Sequence, residues 1–191
     1  MTVAGLLLAA GAGRRFGSPK ALVELGGELL VDRGARLLAA GGCTPVVVVL
    51  GAAADEVLAR TSLTDVVVAT DWAAGISASL RAGLADLTAR DVAACVVALA
   101  DQPGVSPDAV ARLLAAHRAG AVAAMATYAG EPRNPVLLSR DIWADVAATA
   151  VGDVGARQWL RSHPDVVVAV PCDDAGTAFD VDTPEDLAAL D

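Results

Sequence analysis

Apolar residues follow two rhythms along this chain. Residues 3–9, 45–50, 65–69, 92–100, 121–127 and 166–170 are short runs, rich in valine and apolar at successive positions. A run with no polar side to offer water predicts a strand covered on both faces. Between these runs, residues 29–40, 77–87 and 107–119 repeat apolar side chains at helical spacing, which predicts helices. Strand followed by helix, repeated without a low-complexity linker, predicts an α/β fold. It is expected as one domain over residues 1–191, a mostly parallel Rossmann-like sheet in a three-layer sandwich. Open sheets of this kind bind ligands beyond the carboxyl ends of their strands, so chemistry is expected in "AGAGRRFGSPK", "ATDWAAGISAS" and "ADQPGVS".

Charge narrows what those loops hold. The 191 residues carry a net charge of −9, which disfavours nucleic acid as a partner unless positive charge is concentrated in one place. It is concentrated: Arg14, Arg15 and Lys20 fall within seven residues after the first strand. Of the 14 basic residues 13 are arginine, and Lys20 is the only lysine. A compact ammonium fits between phosphate oxygens where a planar guanidinium crowds them. The glycines Gly11 and Gly13 let backbone N–H groups approach an anion. Neither common phosphate pattern applies: Phe16 fills the small sixth place of a dinucleotide fingerprint, and Lys20 is out of register for a P-loop. A polyphosphate bound by glycines and point charges is the reading that survives.

Other residues add to this. Asp101 follows the run "VVALA", where a carboxylate at a strand end suits Mg²⁺ held against phosphate oxygens. In "FDVDTPEDL", Asp180 and Asp182 alternate on one side of an extended segment, and Thr183-Pro184 reads as a helix start, for which capping is the alternative role of Asp182. Gly75, Ser77 and Ser79 offer hydroxyls and free N–H groups at a helix start, suited to a base edge, though Ser77 serves equally as an N-cap. Trp72 is balanced between lining a pocket and simple packing. Cys43, Cys95 and Cys172 have neither disulfide nor zinc spacing, which fits a reducing cytoplasm. The arginines follow the first apolar run, the reverse of a secretory leader, and no apolar stretch is long enough for a membrane span. His117 and His163 stand alone in polar surroundings and are expected to hold no metal.

"LLLAAGAGRRFGSPKAL" resembles the signature of the MobA-like nucleotidyltransferases, and "WAAGISASLRAGL", "VVALADQPGV", "GDVGAR" and "FDVDTPEDL" agree with it in order. Within that superfamily the chain is most similar to the molybdenum cofactor cytidylyltransferases. The resemblance implies a nucleotide-diphospho-sugar transferase type of fold and transfer of a nucleoside monophosphate from an NTP to a phosphorylated acceptor, with release of pyrophosphate. It implies Arg15, Lys20 and Asp101 as catalytic residues and Asp101 with Asp182, and Asp180 close behind, as ligands of Mg²⁺. It further implies that Ala9, Ala10, Gly11, Gly13, Arg14, Lys20, Gly75, Ser77 and Ser79 bind the nucleotide. Ala10 stands where guanylyl-transferring relatives have glycine, so CTP is expected over GTP. Asn134, Asp153 and Arg157, with Arg133 nearby, are expected at a molybdopterin-type acceptor and, beyond it, a molybdenum hydroxylase-type partner. Asn134 replaces the histidine usual before Pro135. Three alternatives stay open: another acceptor (a sugar phosphate, polyol phosphate or phospholactate), an NAD(P)H-dependent nicotine-blue-type reductase, and a non-catalytic cofactor-insertion chaperone.

Overall fold

The computed structural model describes residues 2–190. The first strand, β1 (Val3–Leu8), is buried along its whole length. A two-strand hairpin follows, β2 (Glu24–Leu25) and β3 (Glu28–Leu29), and leads into α1 (Leu30–Ala40). Next come β4 (Val46–Leu50), α2 (Ala54–Arg60), β5 (Val66–Val68), α3 (Ile76–Thr88), β6 (Ala94–Leu99) and α4 (Pro107–Arg118). The chain continues through β7 (Ala123–Tyr128), β8 (Glu131–Ser139), α5 (Trp143–Thr149), α6 (Arg157–Ser162), β9 (Val167–Pro171) and α7 (Pro184–Ala188).

The main sheet has seven strands in the order β5-β4-β1-β6-β8-β7-β9. Only β8 runs against its neighbours, pairing antiparallel with both β6 and β7. The sheet is therefore mostly parallel and Rossmann-like, in one domain. Alternation along β1 explains the two outer layers. Val3 and Leu7 face α1, α2 and α4, whereas Ala4, Leu6 and Leu8 face α3, α5 and α6. Each face buries its own cluster of Leu, Val and Ala, which is why the strand sequences contain no polar alternation.

The chain winds from β1 outward through β4 to β5, then returns to place β6 on the other side of β1. That reversal opens a crevice between the loops leaving β1 and β6, the place where open α/β sheets bind ligands. The "AGAGRRFGSPK" loop and Asp101 lie on its two sides. The six expected strands and three expected helices all form, with ends shifted by up to about two residues. Two hairpins were not anticipated. Gly26-Gly27 joins β2 to β3, and Ala129-Gly130, at φ 51° and 76°, joins β7 to β8. Both connections are the two-residue, positive-φ kind that matches strand twist. The second hides in sequence because alanine occupies the place that asparagine or aspartate usually takes. No helix among the described residues is long and apolar enough to cross a membrane.

Candidate active site

Beyond β1 the chain stays tied to the β4 side: Ala9 N–H donates to the Val49 carbonyl at 2.9 Å, and the Ala10 carbonyl accepts from Ala52 N–H at 3.0 Å. The loop then folds onto itself, with Gly17 N–H donating to the Gly13 carbonyl at 2.8 Å. A Cβ at Gly13, where φ is +59°, would fall 1.8 Å from the Ser18 carbonyl oxygen, so only glycine closes this turn. Lys20 then opens a short 3₁₀ turn, Lys20–Leu22, and its side chain points back toward the strand ends.

There it meets two carboxylates from distant parts of the chain. Lys20 Nζ donates to Asp101 Oδ2 at 2.8 Å and to Asp182 Oδ1 at 2.6 Å, and Arg15 Nη1 lies 2.9 Å from Asp182 Oδ2. Burial disfavours the Lys20 charge, but the hydrogen bonds and charges of Asp101 and Asp182 outweigh it and hold the ammonium above the ordinary lysine value. The Lys20 side chain is 17% exposed and that of Arg15 76%, so one cation is fixed under the loop while the other meets Asp182 from the solvent side.

Two backbone devices place Asp182. Val181, fully buried, donates its N–H to the Asp101 carbonyl at 2.8 Å, which lays this segment beside the end of β6. Asp186 Oδ2 then accepts from the N–H groups of Asp182 at 2.9 Å and Thr183 at 2.8 Å, while Thr183 Oγ1 accepts from Asp186 N–H at 3.3 Å. This reciprocal cap starts α7. Thr183 is therefore the cap, and the Asp182 carboxylate is left for the cations. Asp186 was overlooked as a positioning residue, although Thr-x-x-Asp before a helix carries that signal.

Asp180, expected close behind Asp182 as a metal ligand, turns one oxygen to a different partner. Its Oδ1 accepts from Gln102 Nε2 at 2.8 Å, and burial, with Asp101 and Asp182 nearby, pushes its carboxyl above the usual range. Gln102, itself buried, was not anticipated. Among the described residues no three His, Cys, Asp or Glu side chains gather as a metal cage. Asp101 and Asp182 nevertheless fit a hard divalent cation. Their oxygens converge on one ammonium and both side chains stay partly open, at 25% and 29% exposure, so these two residues would hold the cation and leave room for phosphate oxygens and water beside it.

The crevice is a cleft of about 540 Å³ running from this cluster to the start of α3. Ala9, Ala10, Gly11, Gly13, Arg14, Arg15, Lys20, Gly75, Ser79 and Asp101 line it, as do Trp72, Asp153 and Asp182. Ser77 does not. It is fully buried, its Oγ accepts from Gly155 N–H at 3.1 Å and its N–H donates to the Gly152 carbonyl at 3.0 Å. The hydroxyl expected at a base edge instead ties residues 152–155 onto α3, and the N-cap place that Ser77 was the alternative candidate for is taken by Gly75. Of the expected acceptor residues only Asp153 reaches the cleft. Asn134 lies on β8 and Arg157 at the start of α6, both outside the lining, and Arg133 is exposed. His117 contacts the Ala121 carbonyl and His163 stacks on Trp159 with ring centroids 4.2 Å apart, so both serve packing.

Residues 5–167 match the family model described as MobA-like NTP transferase domain. The chain belongs to the MobA-like NTP transferases. It is 42% identical to the "Nicotine blue oxidoreductase" of Paenarthrobacter nicotinovorans, over 98% of this chain and 96% of that protein. Among solved structures, the homologue of Mycobacterium tuberculosis Rv0371c from Mycobacterium sp. strain JC1 is 34% identical over 98% of this chain and 96% of its own, with a TM-score of 0.82. Rv0371c itself, solved in complex with manganese, is 29% identical with a TM-score of 0.83, over 100% of this chain and 98% of its own. A divalent metal thus occurs in a relative of this MobA-like chain, and the chain is a nucleotidyltransferase of that family.

Proposed function

We propose that this MobA-like nucleotidyltransferase moves CMP from CTP to a phosphorylated acceptor of the molybdopterin type, with Asp101 and Asp182 holding Mg²⁺. One observation carries the reading. Two cations and two carboxylates converge at the mouth of a cleft whose other end is walled by Ala10, Trp72 and Ile76 with Ser79 and Asp153 beside them, which suits a triphosphate at one end and a base at the other.

The reaction needs positioning and charge stabilisation more than covalent help. An oxygen of the acceptor phosphate attacks the α-phosphorus and forms the new P–O bond. The bond from α-phosphorus to the bridging oxygen breaks, and pyrophosphate leaves with that electron pair. Lys20 and Arg15 stabilise the charge that grows on the departing oxygens. When bound, Mg²⁺ supplies further neutralisation of phosphate charge. The buried methyl of Ala10 narrows the cleft and favours a pyrimidine over a purine.

Incubation with each NTP, Mg²⁺ and a molybdopterin-type acceptor, followed by pyrophosphate release, tests this. Release that depends on both CTP and acceptor is expected. Release with a sugar phosphate, polyol phosphate or phospholactate instead would retain the chemistry and move the acceptor; binding without turnover would favour an insertion chaperone. The 42% identity to a protein named "Nicotine blue oxidoreductase" supports a second reading, an NAD(P)H-dependent reductase of the nicotine-blue type. Against it, Phe16 interrupts the dinucleotide fingerprint. NAD(P)H oxidation that requires nicotine blue, with no pyrophosphate released from any NTP, would establish that reading in place of the first.

A further inference from the structure

The end of the cleft at α3 is built by two close approaches between segments far apart in sequence. Trp72 sits on Gly51: a Cβ there would meet Trp72 Cβ and Cγ at 2.6 Å and Ala10 Cβ at 2.8 Å. The missing side chain thus seats the indole beside Ala10, as a wall of the cleft. Asp153 sits on Gly75 in the same way, since a Cβ at Gly75 would lie 2.6 Å from Asp153 Oδ1 and 2.6 Å from the Gly152 carbonyl. The two hydrogen bonds between Ser77 and residues 152–155 fix that loop, and Asp153 Oδ1 accepts from Ile76 N–H at 3.3 Å. A carboxylate with an oxygen to spare therefore stands at the wall of the cleft, held by backbone rather than by a cation.

We infer that this end of the cleft reads a planar heterocycle bearing an amino group, with Trp72 as the stacking surface and Asp153 as the specificity-determining acceptor. The inference rests on the nucleotidyltransferase reading. An indole stacks on any base, so it adds affinity without choice. A carboxylate accepts from the cytosine N4 amine but meets an acceptor oxygen when uracil takes the same pose, so it adds choice. Asp153 thereby discriminates CTP from UTP, while Ala10 works by size.

Isothermal titration calorimetry with CTP, UTP and inorganic tripolyphosphate, each with Mg²⁺, tests this on the intact chain. The unaltered protein is expected to bind CTP about tenfold or more tightly than UTP. Asp153→Asn keeps the acceptor for Ile76 N–H and adds a donor for O4, and is expected to bring the two affinities within about threefold. Trp72→Leu is expected to weaken CTP and UTP alike by about tenfold or more and to leave tripolyphosphate unchanged. Should Trp72→Leu fold poorly, Trp72→Phe retains a stacking face and is expected to keep most of the affinity. Equal CTP and UTP affinities in the unaltered protein, or a ratio that Asp153→Asn leaves untouched, would overturn the inference while nucleotide binding stood. Failure of every triphosphate, tripolyphosphate included, to bind would instead overturn the nucleotidyltransferase reading on which it rests.

Discussion

Replacing Lys20 with methionine removes the ammonium and keeps much of the side-chain bulk. What remains is two carboxylates facing each other under a glycine loop, with only the largely exposed Arg15 to separate them. The Coulomb energy of contacts this short is several kcal/mol gross at an effective dielectric of about 20. Much of that is offset by the desolvation already incurred and by the partial exposure of both aspartates, which leaves a net loss of about 1–3 kcal/mol. For a chain of this size that lowers Tm by roughly 3–10 °C. The Lys20 value is raised, so its contribution is complete below about pH 10 and is lost only as pH climbs through the raised value; the deficit is therefore the same at pH 6 and pH 8. Two consequences separate this account from simple damage to the loop. Turnover, read as pyrophosphate release, falls about a hundredfold, as for one preorganised charge donor. Divalent metal, however, no longer competes with an internal cation for Asp101 and Asp182, so saturating Mg²⁺ or Mn²⁺ raises the Tm of Lys20→Met by more than it raises that of the unaltered chain. Thermal melts with and without metal decide the matter. An equal metal-induced shift in both proteins would refute the placement of Lys20 as the counterion of the carboxylate pair, and undiminished pyrophosphate release would refute its catalytic role.

Asp101→Asn and Asp182→Asn are each expected to abolish pyrophosphate release, and the double variant to cost little more than either alone; strictly additive losses would mean separate roles. The unaltered protein is expected to prefer CTP over GTP by about ten- to two-hundredfold in kcat/KM, and Ala10→Gly to relax that ratio toward GTP. A GTP preference at the outset would refute the cytidylyl assignment alone. Asp180 has its carboxyl raised first by burial, so its folded-state contribution is present below the ordinary carboxylate range and lost as pH rises through the raised value. Asp180→Asn, which keeps an acceptor for Gln102, should therefore raise Tm at pH 7 and give no such gain near pH 3; a gain independent of pH would show that the Asp180 charge is not the cause.

How much of this was legible in the sequence depends on how far apart the cooperating residues lie. The β1 loop is local: its glycines, its two arginines and the lone lysine sit within ten residues, and the conformation needed to cradle an anion follows from those residue types. The α7 cap is local as well. Asp182 was legible only as a candidate, because what turns it toward Lys20 is a backbone bond from Val181 to the Asp101 carbonyl, eighty residues upstream and invisible to periodicity. It also lies beyond residues 5–167, the stretch that matches the family model, so the second carboxylate of the pair comes from a segment that this match does not cover. β8 was missed because two prolines and an Arg-Asn pair break its first half, and it becomes a strand only between β6 and β7, which supply partners on both edges. Ser77 is the sharpest case. A serine near a helix start has the same local signature whether its hydroxyl meets a base, caps the helix or accepts from the backbone of another loop. Here that partner, Gly155 N–H, lies 78 residues away. The same tie that removes Ser77 from the cleft brings Asp153 into it, so the loss of one polar group and the gain of another at the α3 end of the cleft are a single event of packing.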